Sequence, residues 1–67
     1  MGQITLKAAR INAGLRQTDA ARLIGKTKNT IAAWESGRRS PKFVDLLDLC
    51  RVYGIEIDDI FMPENQT

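Results

Sequence analysis

Lys28 and Asn29, with Thr27 just before them and Ala32 and Ala33 one turn later, are the side chains of this 67-residue chain best suited to a chemical task. A carboxamide offers donors and an acceptor on one flat end, and an ammonium offers three donors. Such a set recognises by hydrogen bonding and contact; it breaks no covalent bond. The rest of the chain is poor in reactive groups. It has no His and one Cys, which excludes a zinc site and an internal disulfide. It has no phosphate-binding glycine loop and no carboxylate pair in a plausible cleft. No cofactor or metal is expected, and an enzyme is the least favoured class.

These residues must be positioned by the elements around them. Periodicity and punctuation predict five short helices and no strand. The first is expected over about Ile4 to Asn12, with Leu6, Ala9 and Ala13 at helical spacing and Gly14 as its stop. The second runs from Gln17 to Ile24, with Ala20, Ala21, Leu23 and Ile24 inward, and Gly25 ends it. Thr27 is the N-cap of a third helix, Lys28 to Ser36, whose Ile31 and Trp34 face the core. Ser40-Pro41 opens the fourth as cap and first residue, and Phe43, Leu46, Leu47, Cys50 and Tyr53 form its apolar stripe up to Gly54. A last short helix is expected from Ile57 to Phe61, with Asp58 and Asp59 in its first turn. The short links make residues 1–62 one compact all-α domain, with 63–67 a polar tail.

Helices two and three, joined at Gly25, have the shape of a helix-turn-helix, in which the second member enters a DNA major groove. Ala21 and Gly25, four apart, supply the small residues that two steeply crossing helices need. With Ile31 and Trp34 inward, the positions left to face bases are Thr27, Lys28, Asn29, Ala32 and Ala33. Asn29 can pair with adenine N6 and N7, and Lys28 can reach guanine O6 and N7. The methyls of Thr27, Ala32 and Ala33 can pack on thymine. Phosphates are expected at Gln17, where a helix N-terminus attracts an anion, and at Thr30, Arg38, Arg39 and Lys42 around the third helix. Arg16 is a further phosphate candidate. Charge supports this: nine of the ten cations precede residue 43, and six of the eight acids follow it.

The chain also resembles a family, the helix-turn-helix repressors of the Cro/CI type, or XRE family. The matching pieces run in order from Leu6 to Phe61: Leu6-Lys7-x-x-Arg10, Gly14-Leu15-x-Gln17, Ala21-x-x-Ile24-Gly25-x-Thr27, Thr30-Ile31-x-x-Trp34-Glu35-x-Gly37-x-x-x-Pro41, and Leu46-x-x-Leu49 through Tyr53-Gly54-Ile55-x-Ile57-Asp58-x-Ile60-Phe61. The resemblance implies a five-helix, lambda-repressor-like domain with Gln17 and the Arg38–Lys42 loop as backbone clamps. It also implies a partly buried Arg10–Glu35 ion pair between the first and third helices, from which removal of one partner alone costs ~3–5 kcal/mol. Two positions depart from the family's pattern. Arg16 stands where Ser or Thr usually caps the second helix, a loss of ~1 kcal/mol. Lys26 stands where an apolar residue usually follows the turn glycine.

The function expected is a sequence-specific regulator of transcription, a phage or bacterial repressor that binds a pseudo-palindromic operator as a dimer. The homodimer is expected to form through the C-terminal third, over Val52 to Phe61, with the acidic half turned away from DNA. The alternative is an antitoxin or regulatory subunit that uses the same fold to hold a protein. The chain ends soon after the last helix, as expected of a small Cro-like protein or of a DNA-binding domain cut from a longer repressor. No apolar run approaches a membrane span, no signal peptide is evident, and the single thiol suits a reducing compartment, so a cytoplasmic location is expected.

Overall fold

The computed structural model describes residues 2–62. It contains four α-helices: α1 (Leu6–Asn12), α2 (Gln17–Ile24), α3 (Lys28–Ser36) and α4 (Phe43–Tyr53). A single 3-10 turn, Ile57–Asp59, follows α4. The polar tail expected over residues 63–67 lies outside the described residues.

Local sequence explains most of these boundaries. The Thr5 hydroxyl accepts the Ala8 N–H at 3.0 Å and starts α1. The Thr27 hydroxyl does the same for Thr30 at 3.2 Å and starts α3. Gly25 ends α2 in the left-handed region, at φ 71°. A Cβ placed there would meet nothing within 4 Å. Gly25 is therefore needed for its backbone angle, not for the close helix approach the sequence suggested. Ala20 and Ala21, fully or almost fully buried, provide that approach.

One core joins all four helices. Leu6 and Ala9 of α1, Ala20 and Ala21 of α2, Ile31 and Trp34 of α3, and Leu49, Cys50 and Tyr53 of α4 are buried together with Ile60. Burial of large side chains such as Ile31 and Leu49 contributes roughly 1.5–3 kcal/mol each. Cys50 behaves as a small buried hydrophobe, and burial pushes its thiol pKa up.

Four expectations are corrected. The fifth helix is only the 3-10 turn, because the backbone beyond it is engaged elsewhere. The Ile4 N–H donates to the Asp59 carbonyl at 2.9 Å and the Phe61 N–H to the Ile4 carbonyl at 2.7 Å, so Ile4 and Ile60 form a parallel bridge. That bridge also moves the start of α1 from Ile4 to Leu6. Helix α4 begins at Phe43 rather than at Ser40-Pro41, with Lys42 at the cap position in an extended conformation. The φ that proline imposes suits an extended approach as well as a first helical turn, so the local signal could not separate them.

Finally, several apolar residues expected inside are exposed: Leu23 by 55%, Phe43 by 67% and Leu47 by 36%. Ala20, Ala21 and Ile24 span about 100° of α2, and Leu23 falls outside that arc. On α4 the buried arc centres on Leu49, Cys50 and Tyr53, leaving Phe43 and Leu47 at its edge. Val52, on the same helix, packs partly against the core.

Candidate nucleic-acid interface

Helix α3 starts abruptly because both threonines of its first turn are tied together. Thr27 Oγ1 lies 3.0 Å from Thr30 Oγ1 while it also accepts the Thr30 N–H. This fixes the backbone just ahead of Lys28 and Asn29. Both of those are exposed, and neither side chain hydrogen-bonds within the described residues. At the other end Gly37, at φ 83°, turns the chain sharply, and the Arg39 N–H reaches back to the Ala33 carbonyl at 3.3 Å. The 37–42 loop is thereby folded against α3.

The result is an open depression of about 800 Å³ with Thr27, Asn29, Thr30 and Ala33 on one side and Arg38 and Arg39 on the other. A second depression of about 230 Å³ adjoins it at Thr30 and Arg39 and includes Lys26, Trp34 and Lys42. Most residues singled out in the sequence thus come together on one surface. Their exposure differs: Thr27, Lys28 and Asn29 are exposed, Ala32 is half-buried and Ala33 is only 3% exposed. Lys28 and Ala32 line neither depression. Nor do Gln17 and Arg16, which belong to the start of α2.

The cations divide into two groups. Arg16 and Arg22 share Asp19, Lys26 pairs with Asp45 at 3.6 Å, and Arg51 pairs with Asp48 at 3.0 Å. Lys7, Lys28, Arg38, Arg39 and Lys42 have no ion pair among the described residues. Four of these five lie on α3 or on the loop after it. Charge density alone had not separated the groups. The i,i+3 spacings of Asp19 and Asp48 to their arginines could have signalled three of the pairs; the Lys26–Asp45 contact is tertiary and had no local signal.

Asp19, three residues into the start of α2, reaches back to the cap position at Arg16. Its carboxylate accepts the Arg16 N–H at 2.9 Å and two guanidinium N–H groups at 3.1 and 3.2 Å. The Arg16 side-chain bonds, then the backbone bond, hold the Asp19 pKa down at about 2.

Behind the interface lies a buried tie. Arg10 donates from Nε to Glu35 Oε2 at 2.7 Å and from its second terminal nitrogen to Oε1 at 3.2 Å. Its remaining nitrogen donates to the Leu15 carbonyl at 2.9 Å. Gln17 Nε2 donates to Glu35 Oε1 at 3.0 Å. One carboxylate thus joins α1, the start of α2 and the end of α3. Hydrogen bonding to Glu35 raises the Arg10 pKa against the opposing effect of burial. Tyr53 is buried beside this network, and its hydroxyl has no hydrogen-bond partner among the described residues. Burial first, and the Glu35 charge second, push its pKa up to about 12.

The helix-turn-helix family model matches residues 6–60, which include all four helices and the turn between α2 and α3. The chain belongs to the helix-turn-helix family. It is similar to an HTH-type transcriptional regulator of Methanocaldococcus jannaschii, with 33% identity over 60 residues, covering 90% of this chain and 91% of that protein. It is 34% identical over 55 residues to the cryptic phage CTXphi transcriptional repressor RstR of Vibrio cholerae, covering 82% of this chain but only 50% of the repressor. The HTH-type transcriptional regulator YgzD of Bacillus subtilis is 28% identical over 61 residues, covering 91% of this chain and 92% of the regulator. No solved structure matches significantly.

This helix-turn-helix protein is therefore a transcriptional regulator related to phage and bacterial repressors, a class of DNA-binding proteins and not of enzymes. Among the described residues no cluster of three His, Cys, Asp or Glu could hold a metal ion, and no helix is long and apolar enough to cross a membrane.

Proposed function

We propose that the protein is a lambda-repressor-like repressor that reads a specific double-stranded DNA sequence with α3 in the major groove. It does so as a homodimer on a pseudo-palindromic operator. The observation that carries this reading is the sorting of cations. Four of the five cations without an ion pair among the described residues, Lys28, Arg38, Arg39 and Lys42, lie on α3 or on the loop after it, whereas Arg22 and Arg51 are held by acids outside that surface. Similarity to a phage repressor supports repression over activation.

In this reading Asn29 and Lys28 contact base edges, and Thr27, Ala32 and Ala33 offer methyls to thymine. Ala33 has the least surface left for that contact. Arg38, Arg39, Lys42 and Thr30 hold phosphates. Gln17 contributes as well: its carboxamide carries two N–H groups, and one goes to Glu35, which leaves the other for a phosphate oxygen. Arg16 contributes to phosphate binding while it remains engaged with Asp19.

Selection of bound sequences from a random DNA pool at two salt concentrations tests the proposal. A palindromic consensus that persists at the higher salt is expected. Recovery of salt-sensitive binding with no consensus would replace the specific reader with a nonspecific one.

A further inference from the structure

An acid lies within the basic surface around α3. Asp45, in the first turn of α4, lines the smaller depression with Lys26, Arg39 and Lys42, and its side chain is only 13% exposed. That depression shares Thr30 and Arg39 with the larger one, so the carboxylate borders the surface assigned above to phosphates. The three cations beside it are not equivalent. Arg39 and Lys42 have no ion pair among the described residues. The Lys26 ammonium instead lies 3.6 Å from Asp45 Oδ1, with 39% of its side chain exposed. At that separation the two charges attract without a direct hydrogen bond. The Lys26 backbone is fixed just after Gly25, its N–H donating to the Ala21 carbonyl at 2.8 Å. Only the side chain is left to choose between a carboxylate and a phosphate.

We propose that Asp45 is a positioning residue that limits DNA affinity by holding Lys26 away from the phosphate backbone. This rests on the DNA-binding reading above and names a residue that restrains it. Phosphate contacts add affinity for every sequence and carry no sequence information directly. An acid that withdraws one such contact therefore weakens binding to all duplexes alike and leaves base preference untouched. The charge of the carboxylate acts in the same direction, because it opposes a polyanion.

Binding of the full chain to a random-sequence duplex, titrated at several salt concentrations, tests the role. Asp45→Asn is expected to bind more tightly at low salt. It should also steepen the slope of log K against log salt by about 0.9, the value of one added phosphate contact. Between about 50 and 200 mM salt its loss of affinity should exceed that of the wild type roughly threefold. Lys26→Gln alone should not flatten the slope, because Lys26 holds no phosphate in the wild type. The same change added to Asp45→Asn should return the slope to the wild-type value. Asp45→Glu keeps the charge and should keep the wild-type slope.

A purely structural role gives a different outcome. An acid in the first turn of α4 favours that helix through its dipole, so its loss would lower the thermal midpoint and leave the slope alone. That result would overturn the proposal, as would a slope flattened by Lys26→Gln alone or one still steep in the double variant. Circular dichroism at the binding temperature checks that each variant is folded. Lys26→Gln leaves α4 unaltered, so its arm decides even where Asp45→Asn unfolds. A chain that binds no duplex at low salt refutes the DNA-binding reading and this role with it. Salt-dependent binding with slopes indifferent to Asp45 refutes this role alone.

Discussion

Single side chains at this interface fall into those that can carry sequence information and those that can carry only affinity. Asn29 is exposed, free of hydrogen bonds within the described residues, and fixed at the start of α3 by the Thr27–Thr30 contact. Asn29→Ala is expected to relax base preference at one operator position, at a cost of about 1–3 kcal/mol for the preferred base. Arg39→Ala should weaken all sequences alike and lower the salt slope by about one. Binding-site selection with each variant, and titrations at several salt concentrations, check both. Unchanged specificity in Asn29→Ala would remove it from the base-reading set. Tyr53 makes a different case. Its hydroxyl is buried without a partner among the described residues, so desolvation of the polar group goes uncompensated. Tyr53→Phe is expected to keep or raise stability, by up to about 1 kcal/mol, in urea unfolding. A clear loss would mean that the hydroxyl has a partner in solution.

At the scale of elements, the start of α2 is held by the Asp19 carboxylate, which reaches back to the Arg16 backbone and guanidinium. The Asp19 pKa is held at about 2, below its ordinary 3.8, chiefly by Arg16. The sign follows from which state takes the proton first. Above the ordinary pKa both states are ionised and the native state keeps the full benefit. As pH falls from about 4 towards 2, the unfolded chain protonates before the native one, and that benefit is lost. Stability should therefore decline across this window, and Asp19→Asn should flatten the decline, as measured by thermal unfolding against pH. Above pH 5 the Asp19→Asn variant should show no such pH dependence from this site. The Arg16–Asp19 contact was partly legible, since Asp19 stands three residues after Arg16. The start of α4 was not, because Ser40-Pro41 fits an extended approach as well as a helical first turn.

The whole molecule is polarised by its ion pairs as much as by its sequence. Nine cations precede residue 43; among the described residues acids pair with four of them and leave Lys7, Lys28, Arg38, Arg39 and Lys42 without an ion pair, the last four on α3 or the loop after it. If all four meet phosphates, the logarithm of the association constant should fall with the logarithm of salt at a slope of about −3.6 per subunit. Binding measured between low and physiological salt checks this, and a slope near zero would remove the phosphate clamp. The sequence alone determined the helical segments, the turn at Gly25, the inward Ile31 and Trp34 and the short set of candidate base readers. Those depend on helical period, capping and glycine angles, all of which are local. Tertiary structure decided which cations stay unpaired, since Lys26 finds Asp45 from a distant helix. It also decided that the last segment is a turn and a bridge, because Ile4 takes the backbone bonds a fifth helix would have needed. And it decided which apolar side chains of α4 remain outside, because burial depends on what packs beside a helix and not on its own periodicity.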